Sequence, residues 1–255
     1  MAAEQADVSE DAVLGGRLIL RQPRGGHRIG HDAILLAAAC SARPGDRLVE
    51  LGAGVGAAGL AVAGRVEKAA VTLVEIDPAL AALADENAAR NGLGGRAHAV
   101  CLDVAAAPAE FAAAGLMPGA ADQVLMNPPF NPARNPSRDD SRRLAHVAAQ
   151  ETLAQWASTA ARLLRPGGAV TLIWRADGLG EVLAALAGAF GGIAVLPVYP
   201  KPGAPAIRLL VRGVKASRAP QTLLPGFLLN DEAGKPTAEA EAVLRAGAPL
   251  RLAAD

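Results

Sequence analysis

The chain is predicted to be α/β: a seven-stranded, mostly parallel sheet with helices on both faces, in a single domain with a short N-terminal arm. Three observations carry this. Short, almost continuously apolar runs alternate with alanine-rich stretches of helical length along most of the 255 residues. Glycine, proline and Asn-Gly groups mark the boundaries between them. Hydrophobic residues make up 51% of the chain and aromatics only 3%, so aliphatic side chains must fill the core. Strands apolar on both faces belong to sheets covered on both sides, and strand–helix alternation makes such sheets parallel. These sheets bind ligands beyond the carboxyl ends of their strands. Chemistry is therefore expected in the loops that follow the strands.

In chain order, residues 1–12 read as a disordered tail, 13–45 as an arm and helix, and 46–255 as the main domain. Within the arm, residues 14–30 suggest a hairpin and Asp32 to Cys40 a helix. Asp32 is either that helix's N-cap or a residue near the ligand. Strands are expected at about 47–51, 71–76, 97–102, 122–126, 169–174, 193–199 and 206–212. Helices fit between them at 56–64, 78–91, 108–114, 146–164 and 179–190. Pro78 suits a first helical turn, and Asn91-Gly92 and Pro166-Gly167-Gly168 suit helix ends. Thr237 is expected to cap a last helix.

The first strand runs into a glycine turn, "LVELGAGVG". Gly52 and Gly54 permit backbone angles and close approach that a side chain would block. Gly52, Gly54 and Ala57 also satisfy the G-x-G-x-x-A spacing of dinucleotide-binding folds, with Glu75 at the distance of a ribose-binding acid. Two features favour S-adenosylmethionine over a dinucleotide: the chain offers no evident hydride-transfer constellation, and Glu50 stands immediately before the turn. A carboxylate just before the turn repels a pyrophosphate but suits the ammonium and sulfonium groups of S-adenosylmethionine. Glu75, ending the second strand, could accept from both ribose hydroxyls, with Asp77 as N-cap of the helix at Pro78. Asp103, ending the third strand, could accept from the adenine amine, with Ile76 and Val104 on the two faces of the ring.

The fourth strand ends in "NPPF", Asn127 to Phe130. Proline has no N–H for a ladder and holds the residue before it extended, so the backbone is stiff at this strand end. The Asn127 side-chain oxygen and the Pro128 carbonyl can together accept both hydrogens of a planar NH2 group, and Phe130 can stack on a base. With "ELGAGVG", "VEID", "CLDV" and "NPPF" in this order, the sequence resembles class I S-adenosylmethionine-dependent methyltransferases of planar amide or amino nitrogens. That resemblance implies a Rossmann-like fold, S-adenosylmethionine as cofactor, and Asn127, Pro128 and Phe130 as the catalytic set. Glu50, Gly52, Gly54, Glu75, Ile76, Asp103 and Val104 would hold the cofactor.

A narrower resemblance covers almost the whole chain. The arm "LGGRLILRQPRGGHRIGHDAILLAAA" and the later "RPGGAVTLIWRADGLGEVLAAL" and "PAIRLLVRGVKASRAP" are similar to the bacterial tRNA(Val) (adenine-N(6))-methyltransferase family. It implies an RNA substrate, tRNA first. Guanine-N(2) or glutamine-amide transfer, or cofactor binding without catalysis, stay open as alternatives. Arg134, Arg138, Arg142 and Arg143 follow Phe130 and could contact phosphates; Arg21, Arg24, His27, Arg28 and His31 form a second basic cluster in the arm.

Charge and composition narrow the classes. The formal net charge is zero, so no global basic excess attracts nucleic acid. No export signal or spanning segment is expected: the uncharged stretch 182–200 is broken by Gly191-Gly192 and Pro197. Two cysteines, Cys40 and Cys101, read as buried free thiols in a reducing cytoplasm rather than a disulfide. No metal site is expected.

Overall fold

The computed structural model describes residues 8–25, 29–129 and 139–252, with side chains except those of 139–149. The elements run β1 (Val8–Val13), β2 (Leu18–Pro23), α1 (His31–Ala39), β3 (Arg47–Leu51), α2 (Ala57–Arg65), β4 (Ala70–Glu75), α3 (Pro78–Arg90), β5 (Ala97–Cys101) and α4 (Pro108–Ala113). They continue with β6 (Ala121–Met126), α5 (Asp139–Leu163), β7 (Leu164–Arg175), α6 (Leu179–Leu186), β8 (Phe190–Tyr199), β9 (Arg208–Lys215), β10 (Thr222–Leu223), β11 (Phe227–Leu228) and α7 (Ala238–Leu244).

The main sheet has the order β10-β8-β9-β7-β6-β3-β4-β5, with β11 also on β8. β3, β4, β5, β6 and β7 are parallel, and β9 runs antiparallel between β7 and β8. It counts nine strands rather than the expected seven because the two-residue β10 and β11 both ride on β8. Apolar clusters cover both faces. One packs α1, α2 and α7 against the sheet; the other packs α5 and α6, with Trp174 fully buried. The long apolar runs of β3, β4 and β6 have this cause.

Three further expectations change. Residues 8–12, expected in a disordered tail, belong to β1, which pairs antiparallel with β2; residues 1–7 lie outside the described ones. Cys101 is exposed while Cys40 is buried, because Cys101 ends β5, the edge strand. Asp32 does not cap α1: the N-cap is Gly30, without a side-chain bond, and Asp32 sits one step inside the first turn. The expected caps Asp77 and Thr237 are in place, each accepting from backbone N–H groups of its helix.

Two asparagines one helical turn apart dock the hairpin onto α3. Asn91 accepts from the Ile19 N–H (2.9 Å) and donates to the Ile19 carbonyl (2.8 Å). Asn87 does the same for Arg21, at 2.8 and 3.0 Å. Alternate residues of a strand expose backbone on the same edge, and an i, i+4 pair on a helix matches that step. Each amide thus stands in for a residue of a neighbouring strand.

Candidate active site

The sheet reverses direction of growth between β3 and β6, where ligands of such folds sit. Register pairs Leu51 with Met126, so the next residues, Gly52 and Asn127, leave the sheet side by side. Gly52 and Gly54 have φ of +66° and +56°, the left-handed region that glycine enters without cost. Gly52 also makes a close approach: a Cβ built there would lie 2.3 Å from the Trp156 ring on α5.

Two adjoining cavities form one cleft over these strand ends. The first, about 370 Å³, includes Glu50, Gly52, Gly54, Asp32, Asn127 and Arg208. The second, about 400 Å³, includes Glu75, Ile76, Asp103, Val104, Asn127, Pro128 and Trp156. Gly52, Gly54, Asp32, Leu80 and Asn127 belong to both. The nine expected residues among the described ones therefore meet in one place. Phe130, Arg134 and Arg138 lie outside the described residues; Arg142 and Arg143 fall on α5, where side chains are not described.

The acids differ in their bonding. Glu75 is buried and ties the glycine turn to its own strand: Oε2 accepts from the Gly54 N–H (2.7 Å) and Oε1 from the Asp77 N–H (3.0 Å). Each oxygen keeps a lone pair for a hydroxyl. Asp103 is exposed, and its Oδ1 accepts from the Ala105 N–H (2.8 Å). Val104 beside it is buried and fixed by Thr159, whose hydroxyl donates to its carbonyl (3.0 Å). Ile76 is 62% exposed, an apolar surface facing the cleft.

Glu50 is buried and accepts from the Gly59 N–H in the first turn of α2 (2.6 Å). Burial pushes its carboxyl up to about 8; the Gly59 bond works against that rise and the Glu75 charge adds to it. Between about 4.5 and 8 the native chain holds this proton and the unfolded chain does not, so stability falls as pH rises through that window. The slope approaches ~1.4 kcal/mol per pH unit. Glu50→Gln is expected to flatten it in denaturant titrations from pH 5 to 9. A cationic ligand group in the cleft favours the carboxylate. S-adenosylmethionine affinity is therefore expected to rise toward pH 8, by up to about tenfold per pH unit, and to lose this rise in Glu50→Gln.

Asn127 stands apart. Its side-chain Oδ1 is buried and has no hydrogen-bond partner among the described residues. Across the cleft Arg208, on β9, donates to Asp32 Oδ2 (2.9 Å). Sequence reasoning gave neither Arg208 nor Trp156 a place in the site. Trp156 is one of two tryptophans in the chain and carries no motif, and Arg208 lies 176 residues from its acid with no local signal. Among the described residues, no group of three or more His, Cys, Asp or Glu could hold a metal, and no helix is long and apolar enough to cross a membrane.

Comparison with known proteins agrees with this geometry. A crystal structure from Agrobacterium tumefaciens, described as a predicted O-methyltransferase, superposes with a TM-score of 0.74 at 29% identity, covering 86% of this chain and 98% of that one. TrmN from Thermus thermophilus shares the fold, with a TM-score of 0.53 at 21% identity over 72% of this chain and 48% of its own. A tRNA1(Val) (adenine(37)-N6)-methyltransferase of Dyadobacter fermentans is 27% identical over 158 residues, 62% of this chain and 62% of that relative's length. The family model of the methyltransferase small domain matches residues 27–197, more than half of the chain. By that match and by its fold, the chain belongs to the methyltransferase small domain family, within the class I S-adenosylmethionine-dependent methyltransferases.

Proposed function

We propose that the chain methylates the exocyclic amine of adenine in RNA, with tRNA as the substrate class, in the cytoplasm. The observation that carries this is the buried, unpartnered Oδ1 of Asn127 where the two halves of the cleft join. An aromatic amine has its lone pair delocalised into the ring. Accepting its N–H hydrogens at Asn127 and at the Pro128 carbonyl aims the nitrogen and favours a pyramidal, more nucleophilic geometry. S-adenosylmethionine, when bound, would supply the methyl group: the nitrogen lone pair would take it as the carbon–sulfur bond breaks, with S-adenosylhomocysteine as the leaving group and the surplus proton passing to water. Catalysis rests on positioning and fixed dipoles.

In this reading Glu50 faces the methionine end, Glu75 takes the ribose hydroxyls, and Asp103 takes the adenine amine of the cofactor between Ile76 and Val104. Phe130 stacks on the target base, worth roughly 1–3 kcal/mol, and Arg134, Arg138, Arg142 and Arg143 meet phosphates. The name of the Dyadobacter relative supports adenine in tRNA. The description of the Agrobacterium protein favours a second reading, O-methylation. A hydroxyl nucleophile gains most from a base, and Asn127 is a neutral acceptor.

The test offers labelled S-adenosylmethionine and the purified chain to total tRNA, ribosomal RNA and release factor separately, with products identified by mass spectrometry. N(6)-methyladenine in tRNA is expected. Label on guanine, glutamine or a hydroxyl reassigns the acceptor. Cofactor binding with no transfer to any of the three removes the reading.

A further inference from the structure

Away from the glycine turn, a separate cavity of about 390 Å³ opens between the arm, the C-terminal halves of α1 and α2, the loop after α3, and α7. Its size falls in the range of small-molecule sites. Leu18, Leu60 and Val243 give it apolar walls, and Arg17, Arg65 and Arg96 line it too, without one Asp or Glu. Among the described residues, all three guanidinium groups are anchored by backbone carbonyls alone. Arg65 donates to Ala37 and Cys40 at 2.8 and 3.0 Å. Arg96 donates to Ala63, Val66 and Ala69 at 2.9 to 3.3 Å, and Arg17 to Ala246.

Carbonyls fix these groups in place but do not neutralise them. The C-terminal ends of α1 and α2 supply about half a negative charge each, less than the three cations bring. Each guanidinium carries five N–H donors, and the carbonyls use only some of them. Arg17 is exposed and Arg65 and Arg96 are partly exposed, and all three line the cavity, so donors the carbonyls leave free are within reach of a ligand there. Burial also lowers the Arg65 pKa from its ordinary value, a cost that a bound oxyanion would offset. Fork-shaped donors match carboxylate and phosphate oxygens.

We infer that this cavity is a second ligand site, for a small amphipathic oxyanion. Its apolar body lies against Leu18, Leu60 and Val243, and its carboxylate or phosphate head against Arg17, Arg65 and Arg96. The inference is independent of the acceptor proposed above.

The test is calorimetric titration of the full chain with octanoate, octyl phosphate, 1-octanol and inorganic phosphate. Gly64→Leu serves as the blocking variant. Gly64 lines the cavity within α2, and apart from its own helix backbone and chain neighbours no atom lies within 4 Å of a Cβ built there, so the variant is expected to fold. Arg17→Gln removes the exposed member of the charge set. Octanoate or octyl phosphate is expected to bind one to one, the tighter of the two identifying the head group. Binding should weaken at least tenfold for 1-octanol, for inorganic phosphate, and in both variants, with circular dichroism unchanged. Failure of both amphiphiles to saturate, equal binding of 1-octanol, or unchanged affinity in Gly64→Leu would overturn the site.

Discussion

Asn127→Ala is expected to lower methyl transfer about 100- to 1,000-fold, the scale of losing one preorganised polar partner of a transition state, while S-adenosylmethionine affinity and thermal stability barely change. The second half of that statement gives the test its force. The amide oxygen is buried without a partner, which costs about 1–3 kcal/mol where it occurs. Buried polar groups in native proteins are almost always paired, and each exception calls for a reason. A residue kept for folding would lose stability on truncation. Here the buried oxygen gives up no hydrogen bond among the described residues, so the melting temperature should stay level or rise. Single-turnover transfer, cofactor titration and a melting curve on the same variant separate these cases. Transfer within tenfold of the parent, or a clear fall in melting temperature, would show that the side chain serves the fold instead.

Much of this cleft was legible in the sequence because its residues mark the ends of strands. Apolar runs located β3, β4, β5 and β6, and parallel pairing brings their carboxyl ends together. Residues just past those runs, Gly52, Glu75, Asp103 and Asn127, were bound to meet once the fold class was right. What stayed hidden depends on long-range contacts. The Arg208–Asp32 pair joins β9 to α1, and the Trp156 ring against Gly52 depends on how α5 crosses the sheet. Neither contact follows from local spacing. Glu75 shows a partial reading of a different kind: an acid was expected for the ligand, and its two bonds to backbone N–H groups make it also the clamp of the glycine turn. The strand β1 was missed because "VSEDAV" is acidic and short of core residues. Its order comes from β2, and β2 is held from outside by α3.

That outside hold gives the largest expected effect on stability. Asn87→Ala should destabilise the chain by about 3 kcal/mol, or roughly 6–12 °C in melting temperature for a chain of this size. Asn87 is fully buried and uses its whole amide. It accepts from the Arg21 N–H and donates to the Arg21 carbonyl, and its second hydrogen reaches the Val55 carbonyl (3.1 Å) inside the glycine turn. Alanine leaves three backbone groups without a partner, each costing about 1–3 kcal/mol unless water enters. Because Val55 stands between Gly54 and Gly56, the same change should loosen the turn and weaken S-adenosylmethionine binding, unlike Asn127→Ala. Asn87→Asp separates geometry from charge. Its shape is the same, but an oxygen would replace the donor facing the Arg21 and Val55 carbonyls. At pH 7 it should be at least as unstable as the alanine variant. Toward pH 5 protonation restores one donor, and the gap should close. If Asn87→Ala melts within 2 °C of the parent, or Asn87→Asp shows no such pH dependence, the amide does not bind the arm to the turn.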